Sequence, residues 1–159
     1  AFVSTNGWTA PEHLETAVLT DAATQLAGGA GAQILIGNAA LASTLSGGAG
    51  NDTLVSAALG DTLAGGAGDD VIVAGGGADV ILLDATGFGS DLVTGAQAGA
   101  FALRFAAASG ITGMGQVTVL DFGFVEAFGS TVVQASTAQG VVTFTGLTGQ
   151  QLSDAIVFA

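Results

Sequence analysis

The sequence has no cysteine, no tyrosine, one proline, one tryptophan and a single Lys or Arg among 159 residues. Without cysteine there is no disulfide, thiol chemistry or zinc–thiolate site. One fixed positive charge, Arg104, cannot neutralise a row of phosphates, so no nucleic acid is expected as a partner. Attraction to anionic lipid fails for the same reason. No apolar run approaches the roughly 18 residues of a membrane span, so no membrane insertion is expected. The lone proline, Pro11, leaves no proline-rich linker. The opening AFVSTNGW lacks an initiator Met and a basic n-region, so it does not read as an intact signal peptide. A processed or longer chain is the expectation. Catalytic signatures are equally sparse. The only histidine, His13, lies in Pro-Glu-His-Leu-Glu without the second His of HExxH, and no Gly-x-Ser-x-Gly elbow occurs. The chain reads as non-enzymatic, with no catalytic residue.

What the sequence does have is glycine, 27 residues of it, small apolar residues and acid, at a net charge of −12. Five of the thirteen acids (Asp52, Asp61, Asp69, Asp70, Asp79) fall between Gly47 and Leu83. That block is four copies of a nine-residue unit: GGAGNDTLV, SAALGDTLA, GGAGDDVIV and AGGGADVIL. The first and third fit Gly-Gly-x-Gly-x-Asp-x-apolar-x in full. Glycines permit turns with φ > 0 and let backbone close around an ion. The sixth-place Asp offers a hard oxygen suited to calcium. The last three residues make a very short strand whose middle side chain points inward. One unit cannot bury that side chain alone, so units must stack.

Carried outward, the frame gives inward residues Leu26, Leu35, Leu45, Leu54, Leu63, Ile72 and Ile81, spaced by nine with one extra residue in Gly37–Ser46. Sixth-place residues in the same frame are Thr24, Gln33, Ser43, Asp52, Asp61, Asp70 and Asp79. The first three coils lack the carboxylate, which confines calcium to the second half. Upstream, Thr9-Ala10-Pro11-Glu12 has capping-box spacing, and Leu14, Ala17, Val18 and Ala22 recur at helical spacing. This predicts a helix over Ala10–Ala22 covering the open first coil. Downstream, Gly87–Val93 reads as a last, stretched coil. Phe101–Phe105, Gln116–Phe128, Thr131–Gln134 and Val141–Thr145 then read as strands. Trp8 and the nine phenylalanines are expected to pack in the core or caps. The expected fold is all-β: a parallel, right-handed β-roll with a short N-terminal helix cap and a C-terminal β-rich cap. Its divisions are 1–23, 24–94 and 95–159.

With nine-residue half-coils, units 18 residues apart stack on one side. Asp52 and Asp70 should therefore share an ion, and Asp61 and Asp79 form the matching pair opposite. Asp70 with the irregular Asp84 region is the candidate for a third site, giving two or three calcium ions. Remaining oxygens would come from turn carbonyls, those of Gly47, Ala49, Gly65 and Ala67. Asn51 and Asp69, at the fifth place, read as outward turn residues.

Over residues 24–94 the sequence resembles the RTX (repeats-in-toxin) family, whose nonapeptide signature is the one above. The resemblance implies a parallel β-roll, calcium held by the Asp of the GGxGxD turn, export by type I secretion machinery and folding outside the cell. Asp154 followed by Ala155-Ile156-Val157-Phe158-Ala159 is similar to the acidic-then-apolar end of type I export signals. Three roles stay open. The first is a secreted structural protein forming a homo-oligomer, filament or surface layer. The second is the C-terminal folding and export module of a larger enzyme, toxin or adhesin. The third is an adhesin-type or ice-binding roll, favoured only if one flat face carries a regular Thr ladder; Thr44, Thr53 and Thr62 read as a short one that stops at Val71.

Overall fold

Each nine-residue unit carries one large apolar residue flanked by β-branched or small ones, followed by a turn that reverses the chain. Successive short strands must then fall on opposite walls, and strands two units apart pair in parallel. The computed structural model has this winding; it describes residues 2–3, 8–9, 11, 14–57, 59–125 and 129–158. One wall contains β1 (Phe2–Val3), β3 (Thr16–Leu19), β5 (Ile34–Ile36), β7 (Thr53–Val55), β9 (Val71–Val73) and β11 (Gly89–Thr94). The other contains β2 (Trp8–Thr9), β4 (Gln25–Ala27), β6 (Thr44–Ala49), β8 (Thr62–Ala67), β10 (Asp79–Leu83) and β12 (Phe101–Phe105).

All seven residues expected to point inward are buried, six of them completely and Leu26 at 2 % exposure. They form two facing rows. Leu26, Leu45, Leu63, Ile81 and Leu103 follow one another in register along one wall. Leu35, Leu54, Ile72, Val93 and Phe144 do so along the other. Full burial of one such side chain is worth about 1.5–3 kcal/mol, and no coil can obtain it without neighbours.

Among the described residues the N-terminal helix is not formed. The middle of the expected Ala10–Ala22 span is strand β3, in which Ala17 and Leu19 are buried and Thr16 and Val18 face outward. Ala17 pairs with Leu35 and Trp8 with Leu26, so the nine-residue frame runs two units further upstream than its apolar spacing suggested. A wall that offers β3 a parallel partner outweighs weak helical spacing that includes β-branched Thr16 and Val18. Ala10, Glu12 and His13 lie outside the described residues. Thr44 and Thr62 are neighbours on one wall while Thr53 stands on the other, so the three threonines make no single ladder.

Past β12 the walls continue with different chemistry. β15 (Gly140–Thr145) pairs in parallel with β11; β14 (Ser130–Ser136) and β13 (Thr118–Val125) add antiparallel to complete a nine-stranded sheet. β16 (Ile156–Phe158) extends the seven-stranded wall beside β12. The expected C-terminal strands are thus present. Between them α1 (Gly149–Ala155) carries Leu152 into the core, capped by a reciprocal Thr148–Gln151 box, while Asp121 Oδ2 accepts from the Gly149 N–H at 2.6 Å. Phe88, Phe101, Phe105 and Phe144 pack inside, but Phe122 and Phe124 are exposed, contrary to the packing role expected of every phenylalanine. Among the described residues, no helix is long and apolar enough to cross a membrane.

Candidate metal centre

Glycine turns join the walls, and the sixth-place side chains lie beneath them. Gly66 has φ of 103°, and a Cβ there would run into the Gly48 carbonyl of the coil above. Only glycine lets two such turns stack. Beneath them Gln33, Asp52, Asp70 and Asp91 form one column along a single edge of the roll. The amide of each residue donates to the side chain one coil further on: Gln33 N–H to Asp52 Oδ1 at 2.7 Å, Asp52 N–H to Asp70 Oδ1 at 2.8 Å, Asp70 N–H to Asp91 Oδ1 at 3.0 Å. On the opposite edge Ser43 N–H donates to Asp61 Oδ1 at 2.5 Å and Asp61 N–H to Asp79 Oδ1 at 2.8 Å.

The two edges differ in their second oxygens. Asp52 Oδ2 and Asp70 Oδ2 are buried without a hydrogen-bond partner. A Cβ on Gly47 would meet Asp52 Oδ2 and the Gly65 carbonyl together, and one on Gly65 would meet Asp70 Oδ2. Each orphan oxygen therefore lies against the first glycine of its own turn. On the other edge the Asp61 Oδ2 accepts from the Ala57 N–H at 3.0 Å, and Asp79 Oδ1, already bound by the Asp61 N–H, takes a further bond from the Ser56 hydroxyl at 3.3 Å. The turn that lost its glycines has supplied protein donors instead.

Electrostatics do not respect this division, because burial raises carboxyls on both edges. Burial pushes Asp52 up to about 6, against the Gln33 N–H that lowers it, with the Asp70 carboxylate adding to the rise. Asp91 is pushed up to about 8, again chiefly by burial, with Asp70 and Asp69 adding to it. Burial raises Asp70 and Asp79 as well. Stacked carboxylates without a countercharge resist ionisation. The donor set present fits a hard cation: charged oxygens with unused lone pairs, beside glycines whose missing side chains leave backbone oxygen in reach. Asp52 and Asp70, with the Gly65 carbonyl, are the residues that would hold it, and Asp91 continues the carboxylate column below them.

The structure brings Asp52 and Asp70 together, and Asp61 and Asp79, as the spacing of 18 suggested. Gly47 and Gly65 stand beside the orphan oxygens. Ala49 and Ala67 pair with one another, and the Ala67 carbonyl accepts from the Gly50 N–H at 2.9 Å. Asp84 is half-buried at the end of β10 and outside both columns; the residue below Asp70 is Asp91. Sequence reading missed Asp91 because three extra residues separate it from the 18-residue step. Asn51 and Asp69 form an outer ladder, with Asp69 N–H donating to Asn51 Oδ1 at 3.0 Å and Ser90 N–H to Asp69 Oδ1 at 2.9 Å. Among the described residues no three His, Cys, Asp or Glu groups converge on one point, so carboxylate and backbone must share the ligation.

Stacked carboxylates under glycine turns in a parallel roll define the class of calcium-binding β-solenoids. The family model for the RTX calcium-binding nonapeptide repeat (4 copies) matches residues 42–58 and 57–85. Over these residues the chain carries RTX calcium-binding nonapeptide repeats, wound as a β-roll. No curated protein matches the chain.

Proposed function

We propose that the chain is a secreted, non-enzymatic β-roll that folds around two or three calcium ions and serves a structural, self-assembling role at a cell surface. Export through type I secretion machinery is part of this reading, by analogy with RTX repeats in general. The observation that carries its calcium half is the pair of buried, unpartnered oxygens on Asp52 and Asp70. A group left in that state is costly unless a ligand completes it. Calcium supplies the positive charge that lets the column ionise; the chain's own residues supply turn geometry and the amides that orient each Oδ1. Where the site exists only in the folded chain, metal binding and folding are one equilibrium.

Circular dichroism with calcium and with chelator tests the calcium half: loss of β-structure on chelation is expected, at a midpoint of roughly 10⁻⁴–10⁻³ M as in extracellular modules. Identical spectra would overturn it. Electron microscopy across a calcium titration tests the assembling half, and a strictly monomeric protein well above the folding midpoint would overturn that.

A further inference from the structure

We infer that the outer face of the nine-stranded sheet is a docking surface for the same face of a second copy of this chain. The inference rests on the self-assembling role proposed above and names the surface that performs it. Outward positions from β3 to β11 are threonine, valine, isoleucine, leucine or serine, and the three added strands present the same types together with the neutral Gln134. Among the described residues this face carries no charged side chain. Ile34, Val71 and Leu120 stand out from it at 41 %, 36 % and 44 % exposure.

Charge decides the occupant. At −12, two copies repel one another wherever acids face each other. The acids of the repeat lie in the turn edges and columns, so this broad face can meet its own copy without opposing like charges. The opposite wall is a poorer candidate. Its outer side includes exposed Arg104 and is dented near Trp8, Leu26 and Thr44 by a depression of about 330 Å³.

Area is sufficient. Nine strands about 4.8 Å apart make a face roughly 40 Å long, and three-residue strips are about 10 Å wide. With the longer β13, β14 and β15 included, about 600 Å² per copy is available, or about 1,200 Å² in all, the lower bound of a standard specific interface. β9 is the fifth of the nine strands. A two-fold axis through the middle of the face therefore places Val71 near Val71 of the other copy.

The test is sedimentation equilibrium in saturating calcium, with Val71→Glu, Val71→Lys and, on the opposite wall, Val80→Glu. Circular dichroism checks the fold of each; if Val71→Glu does not fold, Leu120→Glu, on the same face outside the repeats, replaces it. Wild type and Val80→Glu are expected to dimerise, and each Val71 variant to associate about tenfold or more weakly, equivalent to about 1.4 kcal/mol. An equimolar mixture of the Glu and Lys variants is expected to regain the dimer, which a merely damaged surface would not. Dimerisation of Val71→Glu at wild-type strength, or a mixture that stays monomeric, would overturn the face while leaving the assembling role standing. A wild type that is monomeric at every concentration would remove both.

Discussion

The amide of Asp52 donates to Asp70 Oδ1 at 2.8 Å, and Asp70 Oδ2, on the same carboxylate, is buried with no partner. One side chain thus both ties its coil to the coil above and presents an unused charged oxygen. Asp70→Asn separates these roles, because the amide oxygen still accepts from Asp52 while the charge is gone. In chelator the variant is expected to melt above wild type, since a buried like-charge contact has been removed. In calcium it is expected to need about tenfold or more metal to fold, because disturbing a metal's environment commonly costs that much. Thermal melts under both conditions check it. A variant destabilised equally in both would make Asp70 a structural residue only.

Much of the roll was legible because a large apolar residue every nine places has few other uses. Leu35 to Ile81 announced themselves that way. Ala17 did not: a small inward residue behind Glu15 leaves the repeat without its usual marks, and Leu14, Ala17 and Val18 fit a helix equally well. Seven-residue α1 is too short for periodicity to show, although Thr148 and Gln151 carried its capping signature. Asp52 and Asp70 could be paired from spacing, but which oxygens stay unpartnered depends on turn backbone that no side chain encodes. That is also why the Gly60-containing edge, satisfied by Ala57, looked like a weaker copy of the same site and is a different one.

Raised carboxyl values give the metal-free protein a pH signature. In the unfolded chain these groups titrate near 3.8, whereas in the fold Asp52 is pushed up to about 6 and Asp91 to about 8. The folded state binds the protons more tightly, so their stabilising contribution is complete below 3.8 and is lost as pH rises through about 6 to 8. Without calcium, melting is expected to be higher at pH 4 than at pH 8. With calcium the order reverses, because the ligands must be ionised. Calorimetry with chelator across this range checks the sign; a melting point that climbs with pH would refute it.

Asp91 and Asp84 compete for one role. Only Asp91 lies in the column, accepting from Asp70 N–H at 3.0 Å at 2 % exposure. Asp91→Ala is expected to raise the calcium midpoint, and Asp84→Ala to leave it near wild type. Isothermal titration of both variants decides between them, and the reverse ranking would relocate the lower end of the site.

Gly66→Ala places a Cβ against the Gly48 carbonyl at φ of 103°. Strain of this kind costs on the order of 1–3 kcal/mol, before the backbone collision is added. Gly87 has φ of 70° but open space around it, so Gly87→Ala is expected to cost less. Chemical denaturation in calcium ranks the two; equal losses would mean the turns do not stack as closely as described.

The upstream coils solve the same turn without ionised oxygen. Asn38 Nδ2 donates to the Asp21 and Ala23 carbonyls at 2.9 and 3.0 Å, its Oδ1 accepts from Ala40 N–H, and its own amide donates to Ser43 Oγ at 2.8 Å. Gln33 Oε1 accepts from Gly29 N–H at 3.0 Å, within its own turn, and its Nε2 is buried without a partner but carries no charge. Neutral groups bring no mutual repulsion, so these coils have less to lose when calcium leaves. Opening should therefore begin in the carboxylate coils and spread outward, as expected of a stack whose units touch only neighbours. Hydrogen exchange at falling calcium is expected to show residues 47–83 losing protection before residues 23–46. Asn38→Ala should erase the difference by leaving the Asp21 and Ala23 carbonyls without their donor. Simultaneous exchange of both blocks in wild type, at every calcium level, would mean the roll opens as one cooperative unit and that the neutral coils confer no independence.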